Sequence, residues 1–269
     1  MRSARLTPTP DPVVLVAHGS RDPRAAEATR ALARAVAVVR PGAPVVASWL
    51  DHTEPGPTAV LRELAKAGHA RAVLVPLLLT AAYHRRVDIP AAVDAARAAG
   101  ATIAVRVTDV LGPTGATVDA GLLAGLRRRL VEAGLDQAGV DRADGRAGRG
   151  GTGPEAFDGL VLAAAGTRDA RARASVGRVA AALSDALRVP TRVSYASAAP
   201  PGVDAAVAHL RSRGARRVAV SAYFLAPGLF HDAVAAGART AGAVAVSAPL
   251  TDVPELADLV RRRVDEAAG

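Results

Sequence analysis

Cysteine is absent from this chain of 269 residues, which excludes disulfides, thiolate zinc sites, iron–sulfur ligation and a cysteine nucleophile. Any metal ion must therefore be held by His, Asp or Glu. Long apolar runs are absent too. Half of the residues are apolar, but nowhere do they approach the roughly 20 consecutive positions of a membrane-spanning helix. Arg2 and Arg5 open the chain without a following apolar stretch and small-residue cleavage site, so no secretory leader is expected there. These absences predict a soluble, cytoplasmic protein with no membrane partner. At about 100 to 200 residues per domain, the length fits one large domain or two small ones.

Lysine is nearly missing as well, Lys66 being the only one, while arginine is plentiful and the formal net charge is +9. A surplus of this size ordinarily raises nucleic acid as a partner. Here it coincides with abundant Ala, Gly and Pro, as GC-rich codon usage produces, and neither a dense basic helix nor a recognised nucleic-acid motif accompanies it. No nucleic-acid partner is expected. The arginines favour a carboxylate or phosphate ligand instead, which their planar fork binds at two points.

The most informative feature present is an internal repeat. Val14, Leu15, Gly19, Arg21, Asp22 and Arg24 recur in order as Val161, Leu162, Gly166, Arg168, Asp169 and Arg171, at a constant offset of 147 residues (161 minus 14). Trp49-Leu-Asp and Pro55-Gly56 then face Tyr195-Ala-Ser and Pro201-Gly202. Between the halves, a stretch rich in Gly, Asp and Arg lacks apolar periodicity and reads as a linker. The expected organisation is an N-terminal domain over 1–135, a linker over 136–158 and a similar C-terminal domain over 159–269.

Each half alternates short apolar or β-branched runs with Ala-rich helical segments, the pattern of βαβ units and a parallel sheet. Strands are expected near 13–17, 44–50, 72–79 and 102–109, with helices near 23–39, 57–67, 89–98 and 114–132. The second half repeats the strands near 160–164, 191–196, 217–225 and 243–248. The fold class is α/β, two tandem domains each built on a four-stranded parallel sheet.

On that frame His18 ends the first strand, Asp51 ends the second and His84 follows the third, 33 residues apart each time (51 minus 18, 84 minus 51). Carboxyl ends of parallel strands share one sheet edge, where ligands bind, so the three converge. Two imidazoles and a carboxylate suit Fe2+, Co2+, Ni2+ or Zn2+, and without metal they accept protons near neutral pH. Taken singly, a histidine at a strand end is often only a hydrogen-bonded loop residue. His52 is an alternative ligand, although strand alternation points it away from Asp51. Glu54 lies further into the turn. His69 and His209 read as solvated surface.

In the second half His18 becomes Ala165, Asp51 becomes Ser197, and His84 falls against Phe230, or against His231 if one residue is inserted. The duplicated site has decayed. Asp22 and Asp169 are expected to cap the helices that follow them, while Gly19, Ser20 and Arg21 could form an anion-binding helix start. Aromatic residues make up only 3% of the chain. Trp49 and Tyr195 occupy equivalent positions and read as core. Tyr83 and the run from Tyr223 to Phe230 read as an apolar wall facing the cleft, suited to a flat hydrophobic ligand.

Three segments together resemble the class II sirohydrochlorin chelatases: Ala17-His-Gly-Ser-Arg-Asp-Pro-Arg24, Trp49-Leu-Asp-His-Thr-Glu-Pro55, and Val75-Pro-Leu-Leu-Leu-Thr-Ala-Ala-Tyr-His-Arg-Arg-Val-Asp-Ile-Pro90. The likeness spans both halves. It implies two flavodoxin-like domains across a cleft that holds a tetrapyrrole, and an enzyme that inserts Fe2+ or Co2+, with Ni2+ also open, in sirohaem or cobalamin biosynthesis. His18 and His84 would be the metal-handling pair and Asp51 would replace the family's usual glutamate, one methylene shorter. The acid groups of the substrate would meet Ser20, Arg21, Arg24, Arg85 or Arg86, and its rings Tyr83, Tyr223 and Phe230. No cofactor beyond the substrate metal is implied. Small members of the family are homodimers of one domain, so a duplicated chain implies a monomer. A non-catalytic tetrapyrrole or metal carrier is the alternative reading.

Overall fold

The computed structural model describes residues 10–80, 87–135 and 156–268. Among them the first half runs β1 (Val13–Ala17), α1 (Pro23–Val39), β2 (Val45–Trp49), α2 (Pro57–Lys66), β3 (Arg71–Pro76), α3 (Asp88–Ala98), β4 (Ala104–Val107) and α4 (Ala120–Glu132). The second half runs β5 (Gly159–Ala164), α5 (Ala170–Leu187), β6 (Thr191–Tyr195), α6 (Val203–Ser212), β7 (Val218–Tyr223), α7 (Leu229–Thr240), β8 (Ala245–Val246) and α8 (Pro254–Ala268). The strands form two four-stranded sheets, ordered β2-β1-β3-β4 and β6-β5-β7-β8, with every pairing parallel. The fold is α/β, as its alternating pattern indicates.

Two local departures have physical causes. Helix α4 starts at Ala120 instead of 114 because Asp119 caps it there, its Oδ1 accepting from Gly121 N at 2.7 Å and Leu122 N at 3.2 Å. Strand β8 keeps only two residues because its ladder with β7 is interrupted after Val246, where Ala222 N donates to the Ser247 side-chain hydroxyl at 2.9 Å. Of the expected linker, 136–155 lies outside the described residues. Phe157 is buried in the core, and the Asp158 carboxylate accepts from the backbone N–H groups of Arg216 and Arg217.

Because side chains alternate along a strand, each sheet has two buried faces. In the first sheet Val14, Val16 and Leu74 pack on Val60, Leu61 and Leu64 of α2 and Ile89 and Val93 of α3. The opposite face, with Val13, Leu15, Val73 and Val75, belongs to a core that also contains Leu160, Leu162 and Ala219 of the second sheet.

That shared core is closed by an exchange of helices. Helix α4, from the first half, packs on β7 and α5; helix α8, from the second, packs on β3, α1 and α4. Polar contacts stitch the exchange: Arg128 pairs with Glu255 at 2.6 Å, Arg262 with Asp119 at 2.7 Å and Arg40 with Asp265 at 2.7 Å. Among the described residues no helix is long and apolar enough to cross a membrane.

Candidate active site

The carboxyl ends of β1 and β2 are joined beyond the strands themselves. Leu50 N donates to Ala17 O at 3.0 Å and Asp51 N to His18 O at 2.9 Å, so the backbones of two candidate residues are neighbours. Gly19 makes this approach feasible. Its φ is +98°, and a Cβ there would stand 1.7 Å from the Asp51 carbonyl oxygen. The second half repeats the device at Gly166, where a Cβ would stand 1.9 Å from Ser197 O. The following turn closes in the same way in both halves. The Ser20 and Thr167 hydroxyls accept from Asp22 N and Asp169 N, each at 3.1 Å, and the two aspartates cap α1 and α5.

Past Trp49 strand alternation no longer governs direction, and the relation between Asp51 and His52 differs from the expectation. His52 adopts φ +62°. Its backbone N–H donates to Asp51 Oδ1 at 2.8 Å, and its Nε2 lies 3.3 Å from Asp51 Oδ2. The carboxylate and this imidazole therefore form a pair instead of pointing apart. Glu54 is turned onto its own loop, where Oε2 accepts from Gly56 N at 2.8 Å.

His18 lies in the wall of a cavity of about 350 Å³ between the halves. Ala17, Gly19, Ser20 and Trp49 supply wall from the first half, and the segment from Phe224 to His231 supplies the opposite wall from the second. A smaller cavity of about 220 Å³ lies at the end of β5, formed by Ala165, Gly166, Thr167 and Tyr195 with Leu78 to Thr80 across from them. Leu77, Phe224 and Leu225 are common to both, so the two hollows adjoin. Each pairs the strand-end turn of one half with the third-strand exit of the other.

The CbiX family matches residues 12–129 and 159–267, one copy on each half. The chain belongs to the CbiX family. Solved structures agree in fold along nearly the whole length. SirB from Bacillus subtilis with Fe3+ is 18% identical, with 96% of both chains covered and a TM-score of 0.76. The sirohydrochlorin chelatase SirB from Bacillus subtilis subspecies spizizenii, in complex with cobalt, is 19% identical over 96% of this chain and 95% of that one, with a TM-score of 0.73. CbiX, the terminal enzyme for siroheme biosynthesis in denitrifying bacteria, is 22% identical over 95% and 99%, with a TM-score of 0.62. No curated protein sequence matches the chain.

The other candidate residues of this CbiX-family chain fall in several places. Phe230 is half exposed at the cavity rim beside Leu229, which is 82% exposed. Apolar side chains left bare at one mouth are of the kind a ligand covers. Tyr223 is buried, and its hydroxyl donates across the halves to Leu79 O at 3.1 Å. Burial pushes its phenol up, and its ring belongs to the smaller cavity. Arg21 is exposed and outside the cavity wall. Arg24 is spent elsewhere: its Nη2 contacts Asp22 Oδ2 at 2.6 Å and Asp232 Oδ2 at 2.5 Å. It thereby ties the start of α1 to the first turn of α7 and holds both carboxyls below their usual range.

Tyr83, His84, Arg85 and Arg86 lie outside the described residues. Among those described, no three His, Asp or Glu side chains are grouped to hold a metal ion. His231 was not among the candidates. It lines the larger cavity with His18, its Nε2 3.3 Å from Ser247 O and its ring edge-on to Phe224. The repeat shifted by one residue is the signal that leads to it.

Proposed function

We propose that this protein is a sirohydrochlorin chelatase that inserts Fe2+ or Co2+ into a polycarboxylate tetrapyrrole. One observation carries the reading: an imidazole at the β1 edge shares a cavity between the halves with a predominantly apolar wall from the other half. A flat macrocycle needs that wall, and an incoming cation needs the nitrogen. Both walls come from one chain, so the site requires no second copy and a monomer suffices.

His18, with His84 and Asp51, would hold the ion on its way into the macrocycle. Ligands bind metal only when deprotonated, and a lone pair that holds the ion cannot also accept a proton. Transfer therefore comes first. As the ion bonds to the pyrrole nitrogens, two pyrrolic hydrogens leave as protons, and the freed imidazoles then take them up.

His18→Ala, shown by circular dichroism to be folded, is expected to abolish insertion in a timed absorbance assay with sirohydrochlorin and Co2+. Turnover near that of the wild type rejects the assignment. A wild type that binds the tetrapyrrole without accelerating metal entry is instead a carrier.

A further inference from the structure

The two cavities share a frame and differ in chemistry. Gly19, Ser20 and Asp22 recur as Gly166, Thr167 and Asp169, but His18, Ala26 and Trp49 are replaced at the equivalent positions by Ala165, Arg173 and Tyr195. Imidazole, methyl and indole become methyl, guanidinium and phenol. At about 220 Å³ the smaller hollow falls below the roughly 300 Å³ at which pockets begin to hold drug-sized ligands. It has room for an appendage and none for a macrocycle.

Arg173, in the first turn of α5, is half-buried and stands beside the cavity, not in its wall, as Ala26 does at the larger cavity. Its Nη1 donates to Thr167 O at 3.0 Å and Arg168 O at 2.8 Å, which moors the guanidinium to the turn that lines the cavity. Its Nε and Nη2 donate to no described residue, and no described carboxylate pairs with it, in contrast to Arg24 with two. Tyr195 lines the cavity, and its hydroxyl has no hydrogen-bond partner among the described residues. Burial raises the phenol and the charge of Arg173 opposes that shift, so the two groups act on one another. A fixed cation with open donors repels a metal ion and suits a carboxylate, which a guanidinium binds through charge-assisted hydrogen bonds.

We infer that the cavity at the end of β5 seats a carboxylate arm of the tetrapyrrole, held by Arg173 and the Tyr195 hydroxyl, while the ring lies against the larger cavity. The inference rests on the chelatase reading and gives the decayed half a role, which is to anchor the substrate whose metal the other half handles.

The test is a titration of metal-free sirohydrochlorin, and of its form with all acids converted to methyl esters, followed by absorbance. For the acid form, Arg173→Ala is expected to raise Kd about tenfold, the scale of one charge-assisted contact. Arg173→Lys should raise it less and Tyr195→Phe roughly threefold. The ester should bind the wild type and all three variants alike. Tyr195→Phe keeps the ring, so it remains informative if Arg173→Ala disturbs the turn. Unchanged affinity for the acid form, or equal weakening of acid and ester, overturns the anchor. Wild-type protein that binds the acid form but does not speed metal entry overturns the chelatase reading alone; wild-type protein that does not bind it overturns both.

Discussion

At Gly19 two constraints coincide: a backbone φ of +98° and the Asp51 carbonyl oxygen 1.7 Å from where a Cβ would stand. Gly68, after α2, has φ +87° with nothing within 4 Å of its would-be Cβ. The pair separates conformational strain from collision. Gly68→Ala is expected to cost about 1 kcal/mol. Gly19→Ala has to push β2's exit away from β1's and is expected to cost more than about 3 kcal/mol, as read from urea unfolding midpoints. Its substitution should also abolish metal insertion by displacing His18, whereas Gly68→Ala leaves insertion intact. This residue scale is where the site was least legible. His18 follows from its place at the end of an apolar strand, but the pairing of Asp51 with His52 depends on a left-handed φ that alternation does not reveal. Tyr195, read from the sequence as core, is only half-buried and lines a cavity, and Arg173 emerges only when the halves are superposed and their differences, not their matches, are read.

The elements were far more legible. β1 and α1 occupy the expected residues because a five-residue apolar run, a Gly turn, an aspartate cap and Pro23 leave little freedom. What a helix packs against is another matter, since amphipathicity shows that a face is buried and not which sheet buries it. The contact between α4 and α8 makes this testable through acid. Arg128 Nε and Nη2 reach both Glu255 oxygens, at 2.6 to 2.9 Å, and hold that carboxyl below its usual range. A carboxyl lowered on folding stabilises the fold above its unfolded value, near 4.3, and the stabilisation vanishes as pH falls through the lower folded value. Both side chains are partly exposed, so the contribution is below about 1 kcal/mol. Glu255→Gln is expected to lower the urea midpoint at pH 7 and to do so progressively less as pH is brought down below about 4.3; an effect that stays the same across that range would assign the loss to packing.

Over the whole molecule, the repeat is visible in sequence while its consequence for cooperativity is not. Two tandem copies invite the picture of two independent units, yet each copy's last helix covers the other's side of a shared core. Removing α8 from its place would bare Val73 and Val75 of β3, which belong to the opposite repeat. The halves are therefore expected to unfold together. The chain supplies its own reporter, because Trp49 is the only tryptophan and sits buried at the end of β2 in the first half, while circular dichroism follows helices throughout. Leu259 is a fully buried residue of α8, and truncating it to Ala is expected to cost about 2 to 4 kcal/mol. If the exchange couples the halves, this change in the second repeat lowers the Trp49 fluorescence midpoint and the dichroism midpoint by the same amount. A fluorescence transition that stays where it was while dichroism shifts would mean that the first sheet holds without its borrowed helix, and the cleft between the halves would then be free to open without unfolding either wall.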